Sequence, residues 1–286
     1  MAVWGSSFAI LRSLMGGAEA SPLALVSVRM SLASLLLLAL LAAFRRGDLR
    51  ALTGPLLRDG VFVGLLLGVG FLLQTEGLQR TSASRSGFLT GTLVVLTPLL
   101  EFALFRRRPP APALLGVLLA FLGITVLSAP WSDAAQATLL GDLLTLGCAL
   151  VFAGHVVALG RIAPRHPVLP LLFLQLATTG VLAALFGPVI EPQHFSNAPR
   201  LWVAMIYLAL FATLLAFGIQ TWAQRILPPV RVALISSLEP VFAALWAALF
   251  IGERLTGREF AGGALIVLGV AVGEAGAALR MRKAAQ

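Results

Sequence analysis

Glu239-Pro240 joins a charge to a backbone irregularity, eight residues into an apolar stretch that runs over 231–251. An ionised carboxylate inside hydrocarbon costs about 3 kcal/mol or more unless it is solvated, paired or used. Proline removes a backbone N–H and frees a carbonyl, so the helix is loosened at the same point. This carboxylate can meet a cationic substrate group, carry a proton, or act as structural partner to an arginine such as Arg29. Gln74 and Gln220 each offer both a donor and an acceptor. That suits a zwitterion such as a free amino acid, and it equally suits hydrogen bonding between helices. Thr90, Thr92, Thr97 and Gln175 carry the same two readings. His155 is the only histidine within an apolar stretch, placed either to relay a proton or to sit neutral and hydrogen-bonded. Trp4 suits a cavity wall or gate. Trp222, close to the end of its stretch, reads as interfacial belt, and Trp246 stays open between the two. Glu76 and Glu101 lie near stretch ends, where pairing with Arg80 and Arg106 is expected. The candidate substrate-binding or cavity residues are therefore Trp4, Gln74, Thr90, Thr92, His155, Gln175, Gln220 and Glu239. No catalytic residue, metal ligand set or cofactor is expected.

The elements that hold these residues are membrane spans. The chain has 286 residues, 59% hydrophobic and 12% charged, with a mean hydropathy of +0.95. No soluble domain can face water with that balance. A spanning helix needs about 20 mostly apolar residues. Ten such stretches follow one another at 1–17, 22–44, 57–79, 84–105, 112–130, 139–160, 168–188, 200–221, 231–251 and 259–279. The links are too short for an extramembrane domain, so function must reside inside the bundle. The first span is short, with Trp4-Gly5-Ser6-Ser7 near its start, and part of that helix is expected to precede Met1. The start lacks the basic region and cleavage site of a signal peptide.

The spans fall into two units, 1–134 and 135–286, each of five helices. Five is odd, so the second copy enters the membrane with opposite polarity. Gln74-Thr75 answers Gln220-Thr221, Thr97-Pro98 answers Glu239-Pro240, and Gly116 with Gly123 answers Gly262 with Gly269. These matches imply a four-residue slip in register between spans 4 and 9. Inverted repeats place a substrate site near the midplane, between the halves. Gly64-x-x-x-Gly68, Gly87-x-x-x-Gly91 and Gly269-x-x-x-Gly273 read as helix-packing surfaces. With the N-terminus placed inside, the inner links and C-terminus carry fourteen Lys and Arg against five outside. That excess predicts both termini in the cytoplasm. It also accounts for the sequence pI near 11.5 without nucleic acid, since the charge is spread along one membrane face. Cys148 is the single cysteine, so no internal disulfide forms.

No phosphate-binding loop, H-E-x-x-H, G-x-S-x-G or selectivity-filter sequence is present, which leaves ATP hydrolysis, intramembrane hydrolysis and channel conduction without apparatus. Three regions do resemble a known family. They are Trp4-Gly5-Ser6-Ser7-Phe8 followed by Arg29, the stretch Thr81-Ser82-Ala83-Ser84-Arg85-Ser86-Gly87-Phe88-Leu89-Thr90-Gly91, and Glu239-Pro240 followed by Gly252-Glu253-Arg254-Leu255-Thr256 and Gly262-Gly263-Ala264-Leu265-Ile266. Together they are similar to the drug/metabolite transporter superfamily, specifically the EamA-type permeases. The nearest branch is the amino-acid exporters of the YddG type. Arg106-Arg107-Arg108-Pro109-Pro110 departs from the Gly-Glu-Arg expected in the first repeat. The resemblance implies an all-α polytopic protein of ten transmembrane helices in two inverted five-helix repeats, with a central cavity lined by helices 1, 3, 4, 6, 8 and 9. It further implies a secondary transporter exporting amino acids or related small metabolites across the bacterial inner membrane by alternating access. The alternatives are efflux of drugs or hydrophobic cations and, in another class, an integral-membrane enzyme or lipid-handling protein. The expected partners are a small-molecule substrate and membrane lipid. The oligomeric state is left open.

Overall fold

A computed structural model of the chain describes residues 1–6, 10, 19–81, 83–129, 131, 138–251 and 255–284. Most of the expected first span, with Ser7, Phe8 and Arg12, lies outside the described residues, as do Ser82 and Gly252-Glu253-Arg254. Helix α1 covers residues 2–6. It is followed by α2 (Pro22–Phe44), α3 (Gly54–Leu78) and α4, which is broken into Ala83–Gly91 and Leu93–Phe105. Next come α5 (Ala111–Ser128), α6 (Leu139–Ile162) and α7 (Val168–Ile190). Helix α8 is Pro199–Tyr207, a widened π stretch Leu208–Leu215, and Ala216–Ala223. Helix α9 is Pro229–Ser236, then Glu239–Trp246 and a π turn Ala247–Ile251, and α10 is Gly257–Ala284.

Nine of these, α2 to α10, are long and apolar enough to cross a bilayer, and none of the described residues forms a named strand. The nine expected spans from 22–44 to 259–279 agree with these to within a few residues. Proline explains several starts: Pro22, Pro199, Pro229 and Pro240 occupy first-turn positions, where a missing N–H costs nothing. Thr138 begins α6 by accepting the Gly141 N–H at 3.1 Å. Large apolar side chains point outward, among them Phe44 (78% exposed), Leu139 (76%) and Val189 (81%). In water that surface would aggregate; in a bilayer it is the lipid face.

The helices pair across the two halves. Helix α5 packs along α10, α2 along α7, and α3 against both α6 and α7. Glycines set the closest approaches. A Cβ on Gly64 would stand 2.6 Å from the Thr178 Cβ of α7. On Gly116 it would stand 2.6 Å from the Gly269 carbonyl oxygen, and on Gly123 the same distance from that of Gly262. Gly87 differs from the packing role expected of it: a Cβ there meets nothing within 4 Å.

A single shift of 146 positions relates the halves. It carries Pro22 to Val168 and Phe44 to Ile190, the two ends of α2 onto the two ends of α7. The same shift carries Ala83 to Pro229 and Ala111 to Gly257, the starts of α4 and α5 onto those of α9 and α10. It also carries Gln74 to Gln220, and Gly116 and Gly123 to Gly262 and Gly269. No four-residue slip separates α4 from α9. Pro98 falls against Ala244 and Pro240 against Val94, so the resemblance of Thr97-Pro98 to Glu239-Pro240 is one of dipeptides, not of position.

On one face the links after the odd-numbered helices are stitched together. Ser21 N donates to the His194 carbonyl and Ser196 N to the Glu19 carbonyl, each at 2.8 Å. Glu191 accepts from the Leu23 backbone N–H (2.6 Å) and from Gln79 Nε2 (2.8 Å). Arg200 pairs with Glu19, and Arg85 with Asp142 at 2.6 Å. The opposite face has Asp59 between Arg58 (2.8 Å) and His166 (2.9 Å), and Arg231 paired with Glu274.

Candidate functional site

Both α4 and α9 are interrupted in mid-span, and at counterpart positions. In α4 the Thr92 N–H turns back to the Leu89 carbonyl at 3.2 Å; in α9 the Leu238 N–H turns back to Ile235 at 3.2 Å. Each bond spans three residues rather than four, a tight turn that kinks the rod. Glu239 opens the second piece of α9 and lies in its first turn, where unpaired backbone N–H groups favour an anion. Pro240 follows and leaves the Ser236 carbonyl without its usual helical donor. Thr92 caps its own turn, donating to the Leu89 carbonyl at 2.6 Å.

Beside the break in α9, where Trp4 and Ile235 line one cavity, lies an aromatic cluster. Trp4 meets Phe217 edge-on at 5.1 Å, Phe217 meets Phe71 at 6.5 Å, and Phe71 meets Phe152 at 5.5 Å. Trp4 Nε1 donates to the Ala212 carbonyl at 2.7 Å, inside the π stretch of α8. Trp246 Nε1 donates to the Ala2 carbonyl at 2.7 Å. The two indoles thus fix α1 between α8 and α9. The Arg29 guanidinium lies over the Phe71 ring, 5.3 Å from its centre. Arg29 is 7% exposed, and Glu239 is the carboxylate whose charge reaches it.

Residues 1–129 and 139–272 match the EamA-like transporter family. The chain belongs to that family. Among its relatives, an uncharacterised transporter of Archaeoglobus fulgidus is 30% identical over 270 residues, covering 94% of this chain and 82% of that one. The threonine/homoserine exporter RhtA of Salmonella typhimurium is 27% identical, covering 91% and 83%. An Escherichia coli protein named a probable amino-acid metabolite efflux pump is also 27% identical, covering 99% and 94%. A crystal structure superposes with a TM-score of 0.80 at 20% identity over 95% of this chain and 93% of that one, a likeness of fold. The protein is thus a multi-pass membrane transporter of the EamA type and not an enzyme.

The sequence-derived candidates of this EamA-like transporter fall into three groups. Trp4 and Gln220 share a cavity of about 130 Å³ with Val232 and Ile235. Gln220 is buried, and its Oε1 has no hydrogen-bond partner among the described residues. Glu239, Thr90 and Thr92 flank the helix breaks, the Thr90 hydroxyl standing beside the Cys148 thiol. Gln74 is half-buried on α3, one turn beyond Phe71, and does not line the cavity that holds Gln220.

His155 and Gln175 form the third group, and they satisfy each other. The His155 Nε2 to Gln175 Oε1 distance is 3.0 Å, and Gln175 Nε2 donates to Thr221 Oγ1 at 3.3 Å. All three residues are buried, so the chain ties α6, α7 and α8 together through the core. Glu76 pairs with Arg80 as expected. Glu101 instead feels Arg107 and Arg161, while Arg106 lies over the Phe102 ring at 5.9 Å. The residues that sequence reasoning passed over are the aromatics: three phenylalanines at ordinary apolar positions give no signal until the helices are packed.

Proposed function

We propose that the chain is a secondary transporter that exports amino acids or related small metabolites across a bacterial inner membrane by alternating access. The observation that carries this reading is the pair of broken helices, α4 and α9, interrupted at positions 146 residues apart with Glu239 at the second break. Discontinuous helices at matching places in two halves mark the substrate site in repeat-built transporters, because broken helix ends present polar groups in the membrane interior. The names of the Escherichia coli and Salmonella relatives support the substrate class. The central residues are Trp4, Gln220 and Glu239, with Gln74, Thr90 and Thr92 on the facing half and His155 and Gln175 holding the framework. Purified protein in liposomes is expected to exchange labelled threonine or homoserine in counterflow. Exchange of neither, together with exchange of hydrophobic cations, would move the assignment to drug efflux.

The two units, 1–134 and 135–286, are read as inverted copies, supported by the single shift and by the reciprocal contacts Gly116–Gly269 and Gly123–Gly262. A two-fold axis generates that pattern, since residue i of one copy meets j of the other and j meets i. Fourteen basic residues against five support an orientation with both termini inside. The stitched face of Glu19, Glu191 and Asp142 is then periplasmic. Alkaline phosphatase fused after Gln286 is expected to be inactive and a fluorescent protein there bright. An active phosphatase at that point would reverse the orientation.

A further inference from the structure

Arg29 stands apart from the paired arginines at the helix ends. Arg80 pairs with Glu76, Arg85 with Asp142 and Arg231 with Glu274. Each lies close to a helix end. Arg29 sits seven residues into α2, about 10 Å along the rod, and is 7% exposed. Among the described residues no carboxylate lies within ion-pair reach of it, and its Nε has no hydrogen-bond partner. What holds it is the face of Phe71 at 5.3 Å. A buried guanidinium costs about 3 kcal/mol by insertion scales, and such groups face a cavity, find polar partners or mark a substrate path. The fork of N–H donors is complementary to a carboxylate, which it binds through two parallel hydrogen bonds.

The surroundings supply the rest of a recognition site. Glu239 lies in the field of two cations, the Met1 α-ammonium first and then Arg29, and among the described residues it forms an ion pair with neither. Opposite charges held apart inside a membrane can be bridged by a molecule carrying the complementary pair. Phe71 lies against the guanidinium and Phe217 stands 6.5 Å from the Phe71 ring, and both rings offer apolar surface. The unpaired Gln220 Oε1 adds an acceptor on the same helix as Phe217. We propose that Arg29 receives the carboxylate of the substrate, with Glu239 facing its ammonium, so that the substrate class is free α-amino acids rather than their amides, esters or simple cations. This rests on the amino-acid export reading and narrows it.

The test is counterflow of labelled threonine in liposomes holding the full chain, competed by unlabelled threonine or by threoninamide, which keeps the ammonium and side chain but has no carboxylate. The wild type is expected to prefer threonine by about tenfold or more, since a buried charge left without its partner weakens binding by at least that much. Arg29→Gln is expected to lose the preference. Arg29→Lys, which keeps charge without the planar fork, is expected to bind threonine more weakly while still ranking it above the amide. Equal competition by the amide in the wild type would overturn the substrate class. A preserved preference in folded Arg29→Gln would overturn the role of Arg29 and leave the transport reading standing. If Arg29→Gln does not fold, Arg29→Lys decides: unchanged affinity and preference would overturn the fork. A wild type that exchanges no amino acid would bring down the export reading, and this proposal with it.

Discussion

Glu239→Gln is expected to reduce transport by about 100-fold while the protein remains folded in the membrane. The substitution keeps the size and hydrogen-bonding capacity of the side chain and removes only its charge. An ionised carboxylate at mid-membrane depth is held at a cost of about 3 kcal/mol. Any conformation that solvates or pairs it better is favoured by a comparable amount. At 1.4 kcal/mol per factor of ten, that bias is about 100-fold in the balance between two states of the carrier. Glu239 is positioned to exert it, since it begins the second piece of α9 immediately after the break at Ser237 and Leu238. Protonation, a substrate ammonium and the field of Arg29 all act on that carboxylate, and the adjoining kink is where α9 can bend. Counterflow rates measured beside the melting temperature of the purified variant separate this from a folding defect. A Glu239→Gln protein that exchanges threonine at the wild-type rate would reduce Glu239 to a hydrogen-bonding residue at a helix start.

The spans were legible because hydrocarbon thickness dictates helix length and nothing else in the chain competes with that demand. Pro22–Phe44 coincides with the expected 22–44, and Gly257–Leu279 differs from the expected 259–279 by one turn at most. The interruption of α4 was not legible. Pro98, the obvious breaker, lies within the intact piece Leu93–Phe105, where the Thr97 hydroxyl donates to the Leu93 carbonyl at 2.7 Å. The helix breaks instead at Thr92, beside Gly91, which packs against Ile124 of α5. Tertiary packing places that kink, and local composition carries no trace of it. The π stretch of α8 is similar: its Ala212 carbonyl is taken by Trp4, a residue 208 positions away.

Within the site, individual polar residues were legible and their partnerships were not. His155 and Gln175 are each conspicuous in an apolar span, but only the packing of α6 on α7 turns them into one hydrogen-bonded pair. Gln74 and Gln220 are counterparts by position, yet the bundle treats them unequally, burying Gln220 beside Trp4 and leaving Gln74 half-exposed. Arg29 was visible as a partner for Glu239, whereas the lack of a direct ion pair between the two is a matter of distance that sequence does not carry.

Gly116→Ala and Gly269→Ala are each expected to destabilise the bundle, and the two together to cost less than their sum. The Cβ added at Gly116 would meet the Gly269 carbonyl oxygen at 2.6 Å, and the one added at Gly269 would meet the Gly116 carbonyl oxygen at 2.6 Å. Backbone atoms cannot rotate away, so α5 and α10 must separate. Overpacking of this kind costs about 1–3 kcal/mol, a fall of about 5 °C in melting temperature for a chain of this size. Once one methyl has forced the helices apart the second finds space already made, so their costs do not add. Gly116→Ala and Gly123→Ala probe different contacts, about 10 Å apart along α5, and their costs are expected to add more nearly. Gly87→Ala is the control, because its Cβ meets nothing and alanine favours the helix by about 1 kcal/mol. Melting curves of the four single and two double variants decide the matter. Full additivity of Gly116→Ala with Gly269→Ala would show that the two glycines do not share one contact. The proposal that α5 and α10 pair reciprocally about a two-fold axis would then lose its main support.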